Sequence, residues 1–252
     1  MAPITHTSRH LLVAAGLVGA SFGAQALSVT IPTTLIDAEA VFSFNADTTD
    51  LMSSMGVGVS ALGNTRQLAG AGWNFMMPVT QVTLNASIFP IGLNPESGFA
   101  TGSGLFIKSE TGGLSLANFG LDFKRNVLTA DLATAQGTKK TFDVFAFNVA
   151  ENLHLSTSGG LSMKMNLTDM MLTTGAQTQF ASALQLEEYA VAVLPMLNFG
   201  SLSVDISPML RLGVSDKSLT APVPELPPLA MLALGLGGIA FVSRRRLSMQ
   251  ER

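Results

Sequence analysis

Between residues 27 and 220 the chain carries one histidine, His154, and the whole sequence contains no cysteine. A thiol nucleophile, a disulfide and a thiolate metal site are therefore excluded together. A Ser-His-Asp triad needs a serine raised on a tight turn, and residues 27–220 contain no Gly-x-Ser-x-Gly stretch. In Asn152-Leu153-His154-Leu155 the imidazole falls opposite both leucines of an alternating run, which reads as a solvent-facing strand position. Paired carboxylates fare no better. Glu187 and Glu188 are adjacent and, in what reads as a strand, point to opposite faces. Asp47 and Asp50 sit one helical turn apart, where a cap and a first-turn charge account for both. Residues 27–220 hold no EF-hand loop and, with a single histidine, no His-x-x-x-His pair. The glycine-rich Gly98–Gly104 stretch lacks the Lys-Ser/Thr of a phosphate-binding loop and reads as a turn before a strand. Trp73 reads as a core or rim aromatic, and Tyr189 as a strand residue with its hydroxyl at the surface. The expectation is a protein that is not an enzyme, with no metal and no cofactor.

The elements that must position these residues are short and recur every 8–14 positions or so, the texture of an all-β sandwich or open barrel. Val79, Val82, Leu84 and Ile88 alternate with polar residues. Leu114, Leu116, Phe119, Leu121 and Phe123 nearly do, with one slip at Ala117-Asn118 that predicts a bulge or a bend. Phe142, Val144 and Phe147-Val149 continue the pattern, and Ser158-Gly159-Gly160 divides two alternating runs as a hairpin turn would. Two short helices are expected. One runs from an Asp47 cap to Gly56; the other covers Gln179–Leu186, after which Glu-Glu-Tyr-Ala-Val-Ala-Val-Leu reads as strand.

Residues 27–220 hold nine basic and fifteen acidic side chains, a formal charge of −6 with no basic stripe, which argues against nucleic acid. Flanking this region are two apolar termini. Arg9, the run Leu11–Gly23 and the small-x-small triplet Ala24-Gln25-Ala26 have the order of a signal peptide cleaved after Ala26. At the other end Pro222, Pro224, Pro227 and Pro228 stop any strand, fourteen uncharged residues follow (Leu229–Val242), and Arg244-Arg245-Arg246 closes the segment. A span takes about 20 apolar residues, so this one is short; counted from Leu226, with snorkelling arginines, it forms a marginal single transmembrane helix over residues 228–243. The arginines would stay cytoplasmic. The expected organisation is a signal peptide at 1–26, an exported β-rich domain at 27–220 and a sorting segment at 221–252.

Val223-Pro224-Glu225, the helix with Gly235, Gly237 and Gly238, and Arg244–Arg246 together resemble the PEP-CTERM sorting domain, also labelled "ice-binding protein C-terminal domain". The sequence departs from the family at Leu226, where proline is usual. The resemblance implies processing by an exosortase-type enzyme, transient residence in the inner membrane and delivery to the cell envelope surface or the extracellular polysaccharide matrix. A second resemblance, in Gly102–Leu132, is to the strand and turn texture of HtaA-type haem-uptake domains, β-sandwiches in which haem would need an axial residue. Here His154, Tyr189 or a methionine would have to serve. The leading expectation is a structural or adhesive role with exopolysaccharide. The alternatives are a module binding haem or another small molecule and, behind it, an envelope hydrolase.

Overall fold

The computed structural model describes residues 27–32, 37–70, 72–88, 91–156, 162–207, 211 and 214–223. Ala24, Ala26, Pro224, Glu225, the 228–243 helix and Arg244–Arg246 lie outside these residues; Val223 lies inside and is exposed. Among the described residues no helix is long and apolar enough to cross a membrane.

Twelve strands join in one antiparallel sheet: β1 (Leu27–Pro32), β2 (Asp37–Phe44), β3 (Gly58–Gly63), β4 (Arg66–Gln67), β5 (Asn74–Pro78), β6 (Gln81–Ile88), β7 (Ile91–Lys108), β8 (Gly113–Asp122), β9 (Val127–Thr134), β10 (Gly137–Ser156), β11 (Ser162–Leu172) and β12 (Gly200–Ser207). Their order is β1-β6-β7-β8-β9-β10-β11-β12-β2-β5-β4, and β3 pairs with β7. The sheet curls into an open half-barrel, so of the two expected architectures the open barrel forms and the two-sheet sandwich does not. The reason is continuity: every strand from β6 to β12 is laddered to the next, which leaves no second sheet to face the first. The hairpin partners β10 and β11 pair as far as Ser156 and Ser162; the turn expected at Ser158-Gly159-Gly160 lies outside the described residues.

Alternation supplies the core. On β2 every second residue is buried (Ala38, Ala40, Phe42, Phe44), as are Leu202, Val204 and Ile206 on β12. The inward phenylalanines form a chain of tilted contacts, Phe42 to Phe145 at 5.7 Å and Phe145 to Phe199 at 5.3 Å between ring centroids. Trp73 packs edge-on against Phe44 at 5.7 Å, half-buried at the rim as its sequence context suggested.

Two features bend and close the sheet. First, β7 is long enough to pair with β6 along its first half and with β3 along its second, on the same edge. β3 turns through Asn64-Thr65 into β4, which pairs with β5, so this seam is closed by chain connectivity rather than by a ladder. Second, the ladders of β7, β8 and β10 slip together, at Ala100–Gly104, Ala117–Gly120 and Lys139–Phe142. Gly102 (φ +80°), Asn118 (φ +53°) and Thr141 (φ +49°) take left-handed backbone inside these bulges. Asp131 of β9 ties two of them: one carboxylate oxygen accepts from Asn118 Nδ2 (2.9 Å), the other from the Thr141 amide (3.0 Å). The slip read at Ala117-Asn118 is one point on this corner. Thr141 is exposed and β-branched, a costly residue for left-handed backbone. Thr141→Gly keeps the amide bond to Asp131 and should raise stability by about 0.5–1 kcal/mol, read from the urea midpoint.

Helices stop the other end. α1 (Ala46–Ser54) ends before Gly56 (φ +69°) as expected, but its cap is Asn45, whose side chain accepts from the Asp47 amide at 2.9 Å. α2 (Thr174–Leu184) begins five residues earlier than its helical pattern indicated, because Thr173 caps it through the Ala176 amide. Phe180 of α2 meets Phe199 edge-on and plugs the barrel. Residues 188–193, expected as strand, form α3 (Glu188–Val193), continued by a 3₁₀ turn at Leu194–Met196. The correction has a local cause: alternation of Ala and Val over only four residues, Ala190–Val193, fits either period, and the two alanines favour helix.

Candidate functional site: an apolar mouth

The corner divides the barrel into an end plugged by α2 and an open mouth. Inward positions of nine strands line the mouth, among them Val82 and Leu84 of β6, Leu121 of β8, Leu153 of β10, Met165 of β11, and Val204 and Ile206 of β12. Phe42, Met77, Val79 and Phe119 form its floor towards the core. Ser97 is the one lining residue with a hydroxyl, and its register with Asp122 and Thr83 puts it on the polar outer face. The cavity measures about 40 Å³. Drug-sized ligands occupy pockets of roughly 300–1,000 Å³, so the walls rest nearly in contact. An apolar interior of this kind can accept only a molecule that brings hydrophobic surface, since any buried ion or unpaired amide would lose its hydration without compensation.

The sequence candidates do not meet here. His154 is exposed on the outer side of β10, its Nδ1 3.1 Å from the Asn152 carbonyl, while its neighbour Leu153 points into the mouth. Tyr189, 65% exposed, stands on α3 beside Glu110 and Leu184 at the plugged end. Glu187 stands at the N-cap position of that helix, with no side-chain capping bond, and Glu188 is its first residue, so neither lies in a strand. Asp47 and Asp50 occupy the first turn and the middle of α1. Among the described residues no three His, Cys, Asp or Glu side chains gather where they could hold a metal ion.

No family model matches the chain, and no curated protein matches it. Among solved structures, the C-terminal domain of HtaA from Corynebacterium glutamicum superposes with a TM-score of 0.45 at 12% identity, over 68% of this chain and 96% of that one. The haem-binding protein HtaB from Corynebacterium glutamicum gives 0.44 at 8% identity, over 72% of this chain and 96% of that one.

At the rim, the turn between β8 and β9 holds a charge cluster beside the mouth. Arg125 donates to Asp122 at 2.7 Å and to Asp143 at 2.8 Å, with Phe123 between them lining the cavity. The Arg125 hydrogen bond holds the Asp122 carboxyl below its ordinary value, and the same carboxylates raise the guanidinium. A carboxyl lowered in the folded state adds stability above its unfolded value of 3.8, lost as pH falls through the folded value. Arg125→Ala should therefore flatten the decline in melting temperature below about pH 4, measured by circular dichroism across pH 2–7, with little change at neutral pH because the cluster is solvent-screened.

What sequence reasoning missed is the mouth. Each lining residue reads as ordinary core, and only the three-dimensional curl leaves their shared space uncovered at one end.

Proposed function

We propose that the β-rich domain is a ligand-binding module that takes an apolar small molecule into the mouth of the half-barrel. The observation that carries this reading is a cavity lined by apolar side chains from nine strands and open to the exterior, with no charged residue among the described residues of its wall. An interior with only a structural duty would be capped, as α2 caps the other end. Titration with the neutral fluorophore N-phenyl-1-naphthylamine should give saturable 1:1 binding in the micromolar range, about −8 kcal/mol. Val204→Phe, which fills the cavity, should weaken that binding at least tenfold, with about 1–3 kcal/mol lost from overpacking. Absence of saturable binding to the parent protein would remove the proposal.

Haem is the second ligand to test, as the sequence texture of Gly102–Leu132 suggests it. The mouth holds no imidazole or phenolate, and its nearest equivalents are the thioethers of Met77 and Met165. These residues and the narrow 40 Å³ cavity do not fit the group as the walls stand. A Soret band that shifts in Met165→Leu would bring haem back.

We further propose that the module is exported, tethered for a time at the inner membrane by residues 228–243, and processed by an exosortase-type enzyme near Val223-Pro224-Glu225 before release to the envelope surface or matrix. The order of the terminal segments supports this, and the outward strand faces, rich in Ser, Thr and Asn, suit contact with exopolysaccharide. Fractionation of cells carrying Glu225→Ala tests it: unchanged distribution would exclude the sorting role.

A further inference from the structure

The ligand reading leaves a mechanical problem, because a cavity of about 40 Å³ admits no organic molecule until its walls part. One wall is β2, β12 and β11; the other is β6, β7 and β8. On the seam side these walls are not laddered together. They are bridged in three places. The Val79-Thr80 corner donates one amide to Ala38 of β2 and the next to Phe99 of β7, at 2.8 and 2.6 Å. The Asn64-Thr65 turn joins β3 to β4, with the Asn64 amide bonded to the Gly102 carbonyl at 2.9 Å. The third bridge is a belt of irregular chain, Arg211 and residues 214–222, that crosses the seam on the outside.

Both ends of the belt are pinned. Arg211, with its side chain 10% exposed, pairs with Asp37 (3.2 Å) and Glu39 (3.3 Å) and donates to the Ala38 carbonyl (2.6 Å), all on β2. Past the seam, Asn64 Nδ2 donates to the Ser215 carbonyl at 2.8 Å. Asn118 then treats Leu219 as a neighbouring strand would, accepting from its amide and donating to its carbonyl, each at 2.8 Å. Ser115 Oγ donates to the Pro222 carbonyl. The groove beneath is made of residues with little or no side chain. A Cβ on Gly104 would stand 3.1 Å from Leu219 Cδ2, and one on Gly102 would stand 2.9 Å from the Lys217 carbonyl oxygen. Ala221 is buried against Ala117 and Ala133. β8 and β9 are consequently buried on both faces, by the core inside and the belt outside. The belt's contacts fall on Gly102, Gly104 and Asn118, the bulge line about which β7 and β8 bend.

We propose that this belt is the latch of the mouth: docked, it holds the two walls together, and its release from the β7–β9 face lets them part and admit the ligand. The proposal rests on the mouth being a ligand site, but its mechanical half is testable without any ligand. Ala221→Lys puts a long cation where two alanines leave no space, and exposed Ser218→Asp is the control. Hydrogen exchange in the full chain reads the belt at the Leu219 amide, the wall bridge at the Thr80 amide and at the Thr101 amide, which donates to Thr80 Oγ1 at 3.0 Å, and the plug at α2. Stopped-flow uptake of N-phenyl-1-naphthylamine reads the mouth. In Ala221→Lys the Leu219, Thr80 and Thr101 amides should exchange faster, probe uptake should speed up about tenfold, and α2 should be unchanged. Fast exchange at Leu219 with Thr80, Thr101 and uptake unaltered would overturn the latch. Fast exchange at all three amides with no probe bound by either protein would uphold the latch and overturn the ligand reading. Leu219→Asp repeats the test if Ala221→Lys fails to fold or leaves Leu219 protected.

Discussion

Asn118→Ala should lower the free energy of unfolding by about 4 kcal/mol, about 1 kcal/mol for each of four lost hydrogen bonds with a further contribution from backbone strain, offset by partial exposure. The side-chain oxygen accepts from the Gly102 and Leu219 amides at 3.0 and 2.8 Å, and the nitrogen donates to Asp131 and to the Leu219 carbonyl at 2.9 and 2.8 Å. No other described side chain serves two strands of the corner and the belt together. At φ +53° asparagine is tolerated, whereas alanine is not. For a domain of this size the loss corresponds to a melting temperature lower by roughly 8–16 °C, measurable by calorimetry. Asn118→Gly separates the two causes, since it relieves the backbone and still loses every bond; it should recover about 1 kcal/mol of the deficit. Full recovery in the glycine variant would show that the conformation, and not the clamp, is what Asn118 supplies.

The same residue shows how far the sequence could be read. The break in alternation at Ala117-Asn118 identifies a bulge from local pattern alone, because a one-residue slip exchanges the faces of everything that follows. Nothing local names its partners. Gly102 lies sixteen residues before it, Asp131 thirteen after and Leu219 a hundred and one after, so the clamp exists only once the sheet has curled and the belt has crossed it. Strand placement was legible for similar reasons: alternation at β6, β8, β9 and β12 reflects a buried inner face. The α3 segment was not, since a four-residue run of Ala and Val carries no period, and Leu194-Pro195 then turns it as a 3₁₀ step. The absence of a catalytic constellation could be argued from residue types. The mouth could not, as Val82, Leu153 and Val204 would read identically in a sealed core.

Phe199→Ala tests the plugged end, which gives the mouth a fixed base. Phe199 is fully buried between the 3₁₀ turn and β12, with its ring 5.3 Å from Phe145 and 6.4 Å from Phe180 of α2. Its amide donates to the Met170 carbonyl at 2.7 Å and its carbonyl accepts from Asn45 at the α1 cap, so the backbone is held whatever the side chain. Truncation therefore leaves a cavity that the surrounding strands cannot collapse into. The expected loss is about 4 kcal/mol, or roughly 8–16 °C in melting temperature. Phe199→Leu, which restores most of the volume, should cost about 1–2 kcal/mol, the remainder being the two aromatic contacts. Because Phe180 is the residue through which α2 grips the barrel, exchange of the α2 amides should rise in Phe199→Ala while Thr80 and Thr101 at the wall bridge keep their protection. That pattern is the reverse of the one expected when the belt is undocked. If both sets of amides rose together in either variant, the barrel would be a single cooperative unit, and a mouth that opens while its base stays closed would be ruled out.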